Sequence, residues 1–349
     1  MAVKFFGSHQ GRDVLAVDIQ SPDGSTTATI ITFGAAIHDL SVPTSTQPRS
    51  VILGFDELSG YVANKQWHHG AVAGRVANRI ARGQFTLDST QYNIESNEPT
   101  GHTCHGGNSG LGHRNWTLEK YDKSSATLMY KSPDGDQGFP GNLQVSVTYS
   151  IPSTGVFRLD YKAQTDKRTP VSLTNHSFFN VDGARGPAVH NNLQQKLTID
   201  ADQYTAVDKD LIPTGELADV AGTPFDFRES RSIELLDDRS GSPFHYDLNY
   251  VLRSPSIPGK LHRGAELISS NNDLTMECWT DQPGIQFFDG APMDLKDRGL
   301  GGAMNGYRAG LCLETQLWPD YIHHPSFPQS VISPGDTYTH TTEYRFTKA

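Results

Sequence analysis

The chain has 349 residues, with 39 acidic against 29 basic side chains and a formal net charge of −10. That balance offers no basic stripe for a phosphate backbone, so nucleic acid is not an expected partner. No apolar run approaches the roughly 18 residues of a membrane span, and Met1 to Gln10 carries no apolar signal core. The three cysteines, Cys104, Cys278 and Cys312, are odd in number and far apart. They make neither a disulfide framework nor a zinc spacing, which predicts a reduced, cytoplasmic protein with buried thiols.

Extended segments recur with turn chemistry between them. Thr27 to Leu40 reads as one long strand or a strand pair, preceded by the turn Ser21-Pro-Asp-Gly24. Ala126 to Lys131 is a strand closed by Ser132-Pro-Asp-Gly135. Leu143 to Ile151 alternates cleanly, and Pro152-Ser-Thr-Gly155 turns it into Val156 to Ala163, a hairpin by pattern and loop composition. Lys196 to Ala201, Asp273 to Thr280, Gly284 to Phe288, Gly310 to Leu317 and Thr339 to Phe346 continue the series. Glu229 to Asp238 alone reads as a helix, and a short one. The 33 glycines and 20 prolines are spread throughout without forming a linker. The expectation is an all-β protein, a large antiparallel sandwich with a few short helices, forming one domain over residues 1–349. No blade-length repeat supports a propeller.

One strand carries an isolated charge. In Gly310 to Leu317, residues Leu311, Leu313, Thr315 and Leu317 face one way, and Cys312, Glu314 and Gln316 the other. No Lys or Arg lies between Arg308 and Arg345. Glu314 is therefore either a solvated strand-face charge or a poised base. On this segment alone the solvated reading comes first, because glutamate is mostly exposed.

Five other polar stretches invite a chemical reading. Gly74 to Gly83 holds three arginines and Asn78, donors for a hydroxyl-rich ligand or solvated turn residues. Gly101 to Asn108 holds His102 and His105, but two histidines fall short of the four ligands of structural zinc. Its glycines suit a backbone that brings His105 close to a ligand. In Pro170 to Asn180, His176 is either a bonded core histidine or a proton donor whose charge changes in the physiological range. Asp247 lies between aromatic residues in Phe244 to Tyr250, a pattern suited to the wall of a sugar site. Gln286 sits mid-strand among apolar residues, where its amide needs partners.

These stretches, in this order, resemble the aldose 1-epimerase (galactose mutarotase) family from about Gly34 to Phe346. The resemblance rests on Gly74 to Ile80, His105-Gly-Gly107, Asn175-His176 with Phe179-Asn180, Thr223 to Arg228, Tyr246-Asp247, Pro283 to Gln286, Glu314-Thr-Gln316 and Pro319-Asp320. It implies a β-supersandwich that interconverts the α and β anomers of a free aldose, with no cofactor and no metal. It implies Glu314 as general base and His176 as general acid, with Asn78, Arg79, His105, Asp247 and Gln286 binding the sugar. Leu248 after Asp247 and the pair His323-His324 depart from the family pattern, in a way expected to bear on which sugar is taken. The alternatives are a hexose-6-phosphate epimerase, which needs cations for the phosphate, a sugar-binding protein without activity, and a metalloprotein built on His68-His69 and His323-His324.

Overall fold

The computed structural model describes residues 3–349 apart from 188, 238, 239, 255 and 296. Three antiparallel sheets dominate. The N-terminal sheet has five strands in sequence order, from Val3–His9 to Arg49–Ser50. A nine-stranded sheet is built around Leu143–Ser153, Val156–Thr165, Tyr338–Lys348 and Leu274–Thr280, which lie side by side. The third sheet has five strands, ordered Pro213–Asp219, Ala201–Val207, Asp247–Leu252, Gly284–Phe288 and Cys312–Gln316. The strand next to the chain's C-terminus thus lies between Val156–Thr165 and Leu274–Thr280.

The alternating patterns produce this arrangement. Leu143–Ser153 buries every second side chain, among them Val145, Val147 and Tyr149, in the main core. The opposite wall of that core includes Ile285, Phe287, Leu311 and Leu313, from the segments that carry the site. Gly284–Phe288 and Cys312–Gln316 are buried at every position, because they are covered on both faces. That accounts for the largely apolar Gly284–Phe288, while Cys312–Gln316 buries the polar Glu314, Thr315 and Gln316.

One local alternative is resolved and one expectation is corrected. Thr27 to Leu40 is a strand pair, Thr27–Ile31 and Ile37–Val42. Glu229 to Asp238 does not form a helix over its described residues, and Asp238 lies outside them. Arg231–Ser232 instead pairs with the strand Lys196–Ile199, and the Ile233 and Glu234 amides donate to the Gln195 and Leu193 carbonyls. Long-range backbone pairing outweighs helix propensity here, a weak preference in so short a segment. The α-helix that does form is Leu58–Ala63, six residues long and too short to show a helical period.

Candidate active site

Register brings the acidic and amide side chains together. Glu314 lies directly opposite Gln286, which lies opposite Asn249. Asp247, two residues before Asn249, projects from the same sheet face, and Gln286 Nε2 donates to its Oδ1 at 2.6 Å. The buried amide thus has its partner.

Glu314 is only 2% exposed, which overturns the solvated reading. The strand packs against the nine-stranded sheet through Thr315, next to His340 and Thr342, and against His176 on its other side. Glu314 Oε1 is 3.6 Å from His176 Nε2, and its Oε2 is buried with no hydrogen-bond partner. Burial first, and the charge of Asp247 second, push the carboxyl well above its ordinary range, against the pull of Arg79. Burial also lowers His176, to about 4. The expectation of a charge change in the physiological range therefore fails, because desolvation disfavours the imidazolium. Both shifts favour a neutral pair. A hydroxyl donating to Oε2 favours the carboxylate instead.

Pairing of the short strands Arg79–Ile80 and Thr103–Cys104 places the next three residues. Asn78 and His105 both take left-handed backbone conformations, with φ of 59° and 50°. The His105 amide donates to the Asn78 carbonyl at 3.0 Å, and the Asn78 amide donates to His105 Nδ1 at 3.2 Å. Gly106 allows this approach, since a Cβ there would collide with the Gly74 carbonyl oxygen. With Nδ1 accepting, the proton of the neutral His105 ring sits on Nε2. Ligand atoms of His105, His176 and Glu314 lie within 4.8 Å of one another. The His105 tautomer does not suit a cation, because a metal needs the lone pair of the nitrogen that here carries hydrogen. The trio is a hydrogen-bonding set.

The three arginines of Gly74 to Gly83 have different fates. Arg75 is buried among the Ser132 hydroxyl and the Ser132, Pro133 and Pro140 carbonyls, at 2.7–3.0 Å. Arg82 is exposed. Only Arg79 of the three reaches the cleft, with its Nε donating to both carboxylate oxygens of Glu98 at 3.0 and 3.2 Å. Its carbonyl accepts from the Asp320 amide at 3.0 Å, and Asp320 Oδ1 accepts from the Ala81 amide and meets His323 Nδ1. The departure His323-His324 thus supports the segment carrying Arg79. Leu248 points into the main core. Neither departure lines the cleft.

Asn78, Arg79, His105, His176, Asp247, Gln286 and Glu314 all line one cavity of about 450 Å³. The aromatic wall differs from expectation. Tyr246 and Tyr250 point into the core, and Trp67 and Phe288 line the cavity instead. Thr223 to Arg228 also lies elsewhere, on a separate surface depression where Arg228 pairs with Asp226. Sequence reasoning missed Trp67, Glu98 and His113, and considered His68 only as a metal ligand. His68 stacks on His113 at 4.5 Å and lies 4.9 Å from His105. Glu98 lies four residues before His102, just outside the polar stretches read from the sequence, and gave no distinct signal there. The histidine stack joins distant segments and left no local signal.

Comparison with known proteins bears on the family and the fold. The family model described as aldose 1-epimerase matches residues 17–345. A galactose mutarotase from Homo sapiens is 40% identical over 325 residues, covering 92% of this chain and 91% of the relative. An aldose 1-epimerase from Escherichia coli is 33% identical, covering 91% of each. Among solved structures, an aldose epimerase homologue from C. elegans superposes with a TM-score of 0.87 at 26% identity, covering 96% of this chain and 99% of that one. The chain belongs to the aldose 1-epimerase family.

Proposed function

We propose that this chain interconverts the α and β anomers of a free aldose, with Glu314 and His176 exchanging the two protons the reaction needs. The observation that carries the reading is the pair itself. A carboxyl and an imidazole lie 3.6 Å apart at the cavity, and the buried Oε2 of the carboxyl has no hydrogen-bond partner.

The chemistry is a hemiacetal opening. Glu314 takes the proton of the C1 hydroxyl, the C1–O5 bond breaks, and O5 receives a proton from His176. The product is the open aldehyde. Rotation about C1–C2 presents the other carbonyl face, and the same two groups return the protons on closure. Sugar binding drives the pair into its working state. The C1 hydroxyl donates to Glu314 and favours the carboxylate, and the displaced proton goes to His176. A glycosidase needs two carboxylates flanking the bond, whereas one carboxyl and a facing imidazole suffice for anomer exchange. Asn78, Arg79, His105, Asp247 and Gln286 hold the remaining hydroxyls, and His105 does so as an Nε2–H donor.

Galactose is the first substrate to test, given the name of the human relative. A phosphorylated sugar fits poorly: the lining carries Glu98, Asp247 and Glu314 against Lys65 and Arg79, and Arg79 is already paired. We also assign residues 1–349 to one domain in a reducing cytoplasm, supported by three free cysteines and a sheet that draws strands from residue 117 to residue 348. The test is polarimetry on fresh α-D-galactose, α-D-glucose and their 6-phosphates, with and without chelator. The reading requires faster equilibration of a free sugar, unaffected by chelator. It fails if no free aldose equilibrates faster than in buffer.

A further inference from the structure

Side chains alternate along Cys312–Gln316, so Cys312 and Glu314 project from the same face. The imidazole of His176 spans that pair. Its Nε2 is 3.6 Å from Glu314 Oε1, and its Nδ1 is 3.5 Å from Cys312 Sγ. One strand therefore meets both nitrogens of one ring.

We propose that Cys312 is a positioning residue for proton transfer: its sulfur holds Nδ1 and so keeps Nε2 as the nitrogen that exchanges a proton with Glu314 and the sugar. The inference rests on the reading of His176 as a proton carrier.

The rest of the pocket fixes where the ring lies without choosing which edge faces the strand. The backbone amide of His176 donates to Ala71, and its carbonyl accepts from Gly70. Phe178 and His105 flank the ring at 5.1 Å and Phe288 at 6.4 Å. These walls are rings that accept either edge of the imidazole. A half-turn about Cβ–Cγ would place carbon atoms where both nitrogens now meet the strand, so the Nδ1–sulfur contact acts together with the Nε2–Glu314 pairing to favour this orientation. Sulfur also suits a ring whose protonation changes. A thiol sulfur is a weak acceptor, so it takes the Nδ1–H that persists while Nε2 gains and loses its proton, and favours neither charge state strongly. Burial keeps the thiol protonated, far above its ordinary range. The other titratable groups around the ring are Glu314, His68, His69 and His105.

The test uses Cys312→Val, which keeps the shape and removes the polar contact, and Cys312→Ser, which keeps a stronger one. Cys312→Val is expected to lower kcat roughly threefold to tenfold, the net contribution of one weak hydrogen bond, with KM unchanged. Cys312→Ser is expected to keep kcat within about twofold of wild type and to move the imidazole limb of the kcat–pH profile upward, since a hydroxyl is the better acceptor for Nδ1–H. Filling space alone would move neither the limb nor kcat without KM. Wild-type kcat in Cys312→Val, or an unmoved limb in Cys312→Ser, overturns the proposal. If the valine variant fails to fold, the serine limb decides alone. His176→Asn run in parallel separates the two readings. Full turnover in that variant removes the role of His176 itself, whereas its loss beside an unaffected Cys312→Val removes only the role of Cys312.

Discussion

The two faces of Cys312–Gln316 each meet a buried histidine and are built in opposite ways. Behind the strand, His340 Nε2 lies 3.0 Å from Thr315 Oγ1 and 2.9 Å from Thr342 Oγ1, and its Nδ1 lies 3.1 Å from the Leu173 carbonyl. In front, His176 has contacts of 3.5 and 3.6 Å, and the carboxyl it faces has an unpartnered oxygen. Burial lowers both rings to about 4. Residue type, burial and titration are alike, and only hydrogen-bond saturation differs. A saturated buried cluster holds the fold together; an unsaturated one retains the capacity to bind. The same contrast separates Arg75, whose guanidinium donates to the Ser132 hydroxyl and three backbone carbonyls away from the cavity, from Arg79, whose Nε pairs with Glu98 at the cavity.

The largest expected effect tests the unsaturated face. Glu314→Gln should lower kcat by about 10²–10⁴-fold with the fold intact, and His176→Asn should do likewise. Their combined loss should fall short of the product, because both act on one bond-breaking event. Near-native turnover in folded Glu314→Gln would make the contrast meaningless. Stability should move the other way. A carboxyl raised in the folded state stabilises below its ordinary pKa, and that contribution is lost as pH rises through the folded value. Glutamine stays neutral, so the melting temperature of Glu314→Gln should exceed that of wild type in alkaline buffer.

The arginine pair gives the next effect. Arg79→Ala should weaken sugar use by about 1.5–3 kcal/mol, the contribution of a charge-assisted hydrogen bond, read in kcat/KM. Arg75→Ala should instead lower the denaturant midpoint, since it strands buried carbonyls at about 1–3 kcal/mol each. Interchanged outcomes would reverse their assignments.

Smaller still, His340→Asn should cost about 1–3 kcal/mol of stability and leave kcat within about twofold. A collapse of kcat without loss of stability would show that the rear face is catalytic too. The last expectation is acid lability. His69, lowered to about 3, and His176 and His340, lowered to about 4, are neutral in the fold because of burial. Their contribution is complete above the unfolded value near 6.5 and is lost as pH falls toward about 4. Thermal melts over that window should show a steady decline, shallower in His340→Asn.

Strand alternation and turn residues made the all-β architecture legible in the sequence, because a period of two and a glycine turn are local properties, whereas the seven cavity residues were singled out through the resemblance of the ordered polar motifs to the aldose 1-epimerase family. The helix expected at Glu229 to Asp238 failed where Gln195 and Leu193 supplied backbone partners from another segment. Tyr246 and Tyr250 gave the same aromatic signal whether they faced sugar or core, and sheet packing turned them to the core. Only tertiary structure made Glu314 a buried carboxyl, since Asp247 and His176, which meet it, lie far away along the chain. Alternation determines which side of a strand a residue occupies. What covers that side, and how many hydrogen bonds it leaves unmade, depends on segments a hundred residues distant.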